Sequence, residues 1–324
     1  MTNDDIDMWI YMVVQHAVIP TMRMAASILL TTLLFAFSNA ARVLYNIPDV
    51  TFDATATEPG IGGTTNATLI WNDEFDELVI NDTKWTYDIP AANYNTKNQQ
   101  QTYTTSPDNI RISNGNLEIT AMNVNGNITS AWVDTRRKFE FFPDVSRGIG
   151  SIIIESRIKL PRPGQGFWPA FWLNPSNITR YGPSPGSGEI DILETINDMK
   201  LMYPTMHYGG NTPETKGKSW NKIPSPDGTW ADDYHVYSML WEPDTIAMFI
   251  DGEEYLRVYS KAVDNENGWY TAYPGAGENA PFDAPFYMII NFAVGGNWPD
   301  PTDDTTVFPA TMLVDYVRVF ATSV

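Results

Sequence analysis

The chain has 324 residues, 43% of them hydrophobic and 13% aromatic, which is enough to bury one sizeable core. With 39 acidic against 20 basic residues its formal charge is -19, which excludes a basic stripe able to hold nucleic acid or an anionic membrane and points to a neutral partner. Cysteine is absent, so stability comes from packing, hydrogen bonds and, where oxygen ligands allow it, a hard cation.

Residues 1–40 read as a leader. Arg23, an apolar run over 25–37 and then Ser38-Asn39-Ala40-Ala41 follow the order of a secretory signal peptide. The run is too short to span a bilayer as a helix. Asp4, Asp5 and Asp7 carry the wrong charge for the start of such a signal, which points to Met22 or Met24 as the initiator. An uncleaved anchor over 8–37 is the competing reading. Sequons at Asn66, Asn81, Asn127 and Asn177 are compatible with export, although such triplets arise often by chance in a chain rich in Asn and Thr. The expectation is a secreted monomer with no stable membrane association after cleavage.

Residues 41–68 are rich in Thr, Ala, Gly and Pro and show no sustained periodicity, so they read as an irregular linker or arm. A single folded domain over 69–324 follows. Its signal is short runs of period two separated by Gly, Pro, Asn and Asp, with almost nothing at period 3.6. The clearest strands are 117–122, 150–160, 189–196, 236–241, 245–250, 286–293 and 312–320. Glu242-Pro243-Asp244 and Asp251-Gly252 read as hairpin turns. Many antiparallel strands without an internal repeat indicate an all-β, two-sheet sandwich of the jelly-roll kind with a curved concave face.

The chemistry concentrates at 188–194, Gly-Glu-Ile-Asp-Ile-Leu-Glu. In a strand Glu189 and Asp191 share a face, with Ile190 on the other. Glu194, at an odd offset, would point into the core, where an unpaired carboxylate is costly. One extra residue removes the conflict, so the pattern predicts a β-bulge at Ile192-Leu193. Curvature of the sheet can then bring the outer carboxyls to about 5 Å, the separation retaining glycosidases need. Asp191 between them could hold a hydrogen bond to one and keep the pKa of the other raised. From the spacing alone an ordinary polar strand face is as good a reading, and a structural Ca2+ site is a further one. Trp168 and Trp172 nearby offer flat platforms for sugars, or simple core packing.

These residues resemble glycoside hydrolase family 16, and within it the laminarinase-like endo-1,3-β-glucanases. The 188–194 run matches the bulged form of the family pattern. Segments 98–104, 164–172, 207–209, 286–299 and 314–319 follow in the family's order. The resemblance implies a concanavalin-like jelly roll with Glu189 as nucleophile, Glu194 as acid/base and Asp191 as their assistant. It implies His207 beside the acid/base, sugar contacts from Trp168 and Trp172, and further contacts from Asn98 and Asn291. No cofactor is implied for catalysis. A structural Ca2+ would map to carbonyls of Glu74 and Gly115 and the carboxylate of Asp315, an oxygen-only set that suits the ion.

Two stretches depart from common laminarinase patterns, 131–138 (Ala-Trp-Val-Asp-Thr-Arg-Arg-Lys) and the loop 211–228, and both could border the cleft. The expected activity is retaining endo-hydrolysis of β-1,3-glucan. Transglycosylation and mixed-linkage hydrolysis use the same acids and stay open as alternatives. A sulfated galactan would call for more basic residues. A non-catalytic β-glucan-binding protein on the same scaffold would have lost the glutamates, which this chain keeps.

Overall fold

The structure, a computed structural model, describes Ile61 and residues 67–87, 97–210 and 216–324. The leader with Met22 and Met24, most of the arm including the sequon at Asn66, and the first part of the 211–228 loop lie outside the described residues. Among the described residues the regular structure is all strand, apart from one 3-10 turn at Val145–Arg147.

In chain order the strands are β1 (Thr68–Asp73), β2 (Thr102–Tyr103), β3 (Ile110–Ser113), β4 (Asn116–Val124), β5 (Asn127–Ser130) and β6 (Trp132–Asp134). There follow β7 (Ile149–Lys159), β8 (Phe167–Pro175), β9 (Glu189–Glu194), β10 (Leu201–Met202), β11 (Thr205–Gly209) and β12 (Lys216–Trp220). The last are β13 (Ile223–Pro224), β14 (His235–Glu242), β15 (Thr245–Ile250), β16 (Glu253–Tyr259), β17 (Phe286–Val294) and β18 (Ala310–Ser323).

Two sheets pack as a sandwich. The larger runs β16-β15-β14-β7-β18-β4-β5-β2, with β1 added on β18 and β3 on β4; the smaller runs β12-β11-β9-β8-β17-β6. Pairing is antiparallel except between β2 and β5. Alternation decides what faces inward. From the smaller sheet Phe171, Leu173, Ile190, Leu193, Met288, Ile290 and Phe292 enter the core fully buried, and from the larger Leu117, Ile119, Ile154, Ile158, Met239, Trp241, Val317 and Val319 meet them. Phe249, Phe320 and Ile153 lie on the other face of the larger sheet and are covered by Ile61 and Ala67.

Turn chemistry explains the hairpins. Asn114-Gly115, Asn125-Gly126 and Asp251-Gly252 all have positive φ at both positions, the geometry of a two-residue turn that matches strand twist. Two prolines, Pro169 and Pro175, sit in β8 although it is central in its sheet. Both pair with β17, at Phe292 and Phe286, whereas β8 contacts β9 only from Ala170 to Leu173. Each proline therefore falls where the strand is locally an edge and needs no second donor.

Candidate active site

The bulge lies on β9. Leu193 pairs with Phe171 and Asp191 with Trp172, leaving Ile192 as the extra residue. Ile190 and Leu193 thereby both enter the core, and Glu189, Asp191 and Glu194 all reach the opposite, concave face. Gly188 makes the entry to β9. It has φ +87°, and a Cβ there would lie 2.8 Å from the Phe282 ring, so any larger side chain would displace core aromatics.

The three acids line a cleft of ≈ 450 Å³ together with Trp168, Trp172, His207, Asn291, Tyr103 and Trp132. Ala170 pairs with Glu194, and its small side chain leaves room for the carboxyl. Trp168 Nε1 donates to Glu194 Oε1 at 2.8 Å. Burial pushes the Glu194 carboxyl up to about 8; the charges of Asp191 and Glu189 add to this, while the indole donor and Lys97 oppose it. A carboxyl in that state holds a proton at neutral pH and can give it to a leaving oxygen.

His207 is placed differently from expectation. It pairs with Glu189 across β9 and β11, and its Nε2 lies 3.2 Å from Asp191 Oδ2 and 3.7 Å from Glu189 Oε1. The register puts the imidazole at the Glu189 end of the cluster, because β11 pairs with β9 only from Glu189 to Asp191 and stops short of Glu194.

Asn291 is 5% exposed, accepts from Trp172 Nε1 at 2.7 Å and donates to Tyr103 Oη at 3.2 Å, so it holds the Trp172 platform in place. Asn98 is exposed and donates to Asn297 Oδ1 at 2.8 Å, just outside the cleft lining. It braces the rim. Sequence reasoning passed over Lys97, Tyr103, Asn174 and the wall 183–187. Tyr103 stood inside a quoted motif, whereas the wall carries no pattern that announces a cleft.

On the larger sheet, Asp315 is itself the extra residue of a bulge on β18, between Val314 and Tyr316. The end of β1 pairs at Val317 and the start of β4 near Val314, so Glu74, Gly115 and Asp315 gather at one end of that sheet. Asp315 Oδ2 is 2.6 Å from Arg157, with which an added cation would have to share the carboxylate.

An antiparallel sandwich that carries paired carboxylates, one proton-holding, in an aromatic-lined concave cleft is the design of a glycoside hydrolase. The family model "Glycosyl hydrolases family 16" matches residues 96–307, and the chain belongs to that family. It is 36% identical over 286 residues to glucan endo-1,3-beta-glucosidase A1 of Niallia circulans, covering 82% of this chain and 39% of that protein's length. It is 34% identical over 261 residues to a beta-glucanase of Rhodothermus marinus, covering 78% of this chain and 84% of that protein. The solved endo-beta-1,3-glucanase of Pyrococcus furiosus is 33% identical with a TM-score of 0.66, covering 86% of this chain and all 100% of the solved one.

Proposed function

We propose that the chain is a retaining endo-1,3-β-glucanase. The observation that carries the reading is the contrast within one bulged strand: Glu194 is lifted by burial and accepts from Trp168, with Glu189 and Asp191 beside His207 on the same face. Glu189 attacks the anomeric carbon as Glu194 protonates the departing oxygen. In the second half Glu194 takes a proton from water, which displaces Glu189. Asp191 and His207 form the bridge that orients the nucleophile. Similarity to endo-1,3-β-glucanases in both sequence and structure supports 1,3-linked glucan as the substrate.

A reducing-sugar assay on laminarin tests this directly. Wild type should release reducing ends, and Glu189→Gln should lower turnover by about 10⁴-fold or more. A wild type that leaves every β-glucan intact would overturn the enzymatic reading in favour of a binding protein. Product lengths separate hydrolysis from glycosyl transfer.

The same reading carries export through the 22–41 segment, action as a monomer without membrane or nucleic-acid partners, and a structural Ca2+ at Glu74, Gly115 and Asp315. Among the described residues no helix is long and apolar enough to cross a membrane. Melting curves with Ca2+ and with a chelator check the ion. Saturating Ca2+ should stabilise the wild type by about 2 to 3 kcal/mol, and Asp315→Asn should abolish the response.

A further inference from the structure

Trp132 gives the cleft a wall that the acids and Trp168 do not account for. It lies on β6, the edge strand of the concave sheet, and pairs with Asn291 on β17. Asn291 pairs with Ala170 on β8, and Ala170 with Glu194 on β9. Directly paired residues present their side chains to one face, so these four form a row across the cleft floor. Trp132 lies three strand spacings from Glu194, about 14 Å, or roughly two to three pyranose rings.

The indole is fixed before any substrate arrives. Its centroid is 5.3 Å from that of Trp172 with the planes at 86°, and 5.7 Å from that of Tyr103. Its Nε1 donates to Asp134 Oδ2 at 3.0 Å, and the other oxygen of Asp134 accepts from the Arg136 amide at 2.9 Å. Asp134 is fully buried. A carboxylate is costly to bury, and here it anchors the polar edge of the ring. Packing alone would bury the ring, yet Trp132 stays partly exposed and lines the cleft. It also sits in the 131–138 stretch that departs from common laminarinase patterns.

We propose that Trp132 is a sugar-stacking residue at the end of the substrate track, binding the apolar C–H face of a pyranose two to three units from the bond being broken and so setting the preferred chain length. This rests on the reading of the chain as an endo-hydrolase of β-glucan.

The test compares wild type, Trp132→Ala and Trp132→Phe on 1,3-linked glucose oligomers of increasing length. Wild-type kcat/KM should climb with length until the Trp132 position is filled. Trp132→Ala should lose that last rise, about tenfold, with the shorter oligomers cut as before, and Trp132→Phe should keep most of it. An equal loss at every length, in the alanine variant or in the better-packed phenylalanine variant, assigns the ring to support of Trp172 and overturns the proposal. If wild type spares 1,3-linked glucan but cuts another β-linked polymer, the glucan reading fails, and the same length series on that polymer still decides the role of Trp132.

Discussion

On the larger sheet Glu74 takes both prongs of Arg318, at 2.9 and 2.8 Å, and Asp315 takes Arg157 at 2.6 Å, whereas on the concave sheet three acids share one face and only Glu189 and Asp191 lie beside a histidine. Each group sits by a bulge, Asp315 on β18 and Ile192 on β9. The residue types and the local device are alike, and the partner decides the outcome. The guanidinium of Arg318 holds the Glu74 carboxyl below its ordinary range, while burial among like charges lifts Glu194 to about 8. One region spends its acids on fixed ion pairs; the other keeps a proton available for transfer.

The largest way to sharpen that contrast is Trp168→Phe, which keeps a ring and deletes the donor to Glu194 Oε1. That hydrogen bond favours the ionised acid, so its loss raises the Glu194 pKa further. As the proposed acid, Glu194 has to start protonated, and activity is then lost as pH climbs past its pKa. The alkaline limb of kcat/KM should therefore move to higher pH in the variant, with turnover down roughly tenfold as the acid is held less firmly. A pH series reads both effects, and an alkaline limb that stays in place would separate Trp168 from the acid.

Much of this contrast was legible in the sequence. Period two located β15 to the residue and β4, β7, β14, β17 and β18 to within three residues at either end. The odd offset of Glu194 predicted the bulge, because parity of side-chain direction and the cost of a buried charge are local arguments. β8 carries no plain strand signal, since its prolines argue against a central strand unless the pairing is known. β16 was missed because Glu253, Glu254 and Arg257 hide the alternation of a charged edge strand. The side of the cluster that His207 joins depends on where β11 ends against β9, a register with no local signature.

Glu140 tests what happens to an acid with neither a guanidinium nor a task in the cleft. It is 4% exposed, and burial pushes it up to about 7 from an ordinary 4.5, with the Ser176 hydroxyl and the Arg137 amide only partly opposing. Its folded pKa exceeds the unfolded one, so the folded state keeps a proton the unfolded chain has released. Stability should fall as pH rises from about 4.5 to 7 and stay reduced above. Glu140→Gln removes the penalty, and urea unfolding should show a gain of about 1 to 2 kcal/mol at pH 8 that vanishes near pH 4. A variant as stable as wild type at pH 8 would mean that the carboxyl finds solvent.

The smallest effect is expected at Glu74→Gln, which leaves Arg318 its second carboxylate, the buried Glu155 at 4.0 Å. The Glu74 pair is about one-third exposed on both sides, so its loss should cost under about 1 kcal/mol. A carboxyl whose folded pKa is lowered contributes stability above its ordinary pKa, and that contribution is lost as pH falls through the folded value. Wild type and variant should thus differ in melting temperature at neutral pH and converge in acid. Turnover on laminarin should not change, because the hydrophobic core separates that pair from the cleft. If kcat falls while the fold holds, charges on the larger sheet reach the acids through that core, and the two regions are not the independent systems their opposite pKa shifts describe.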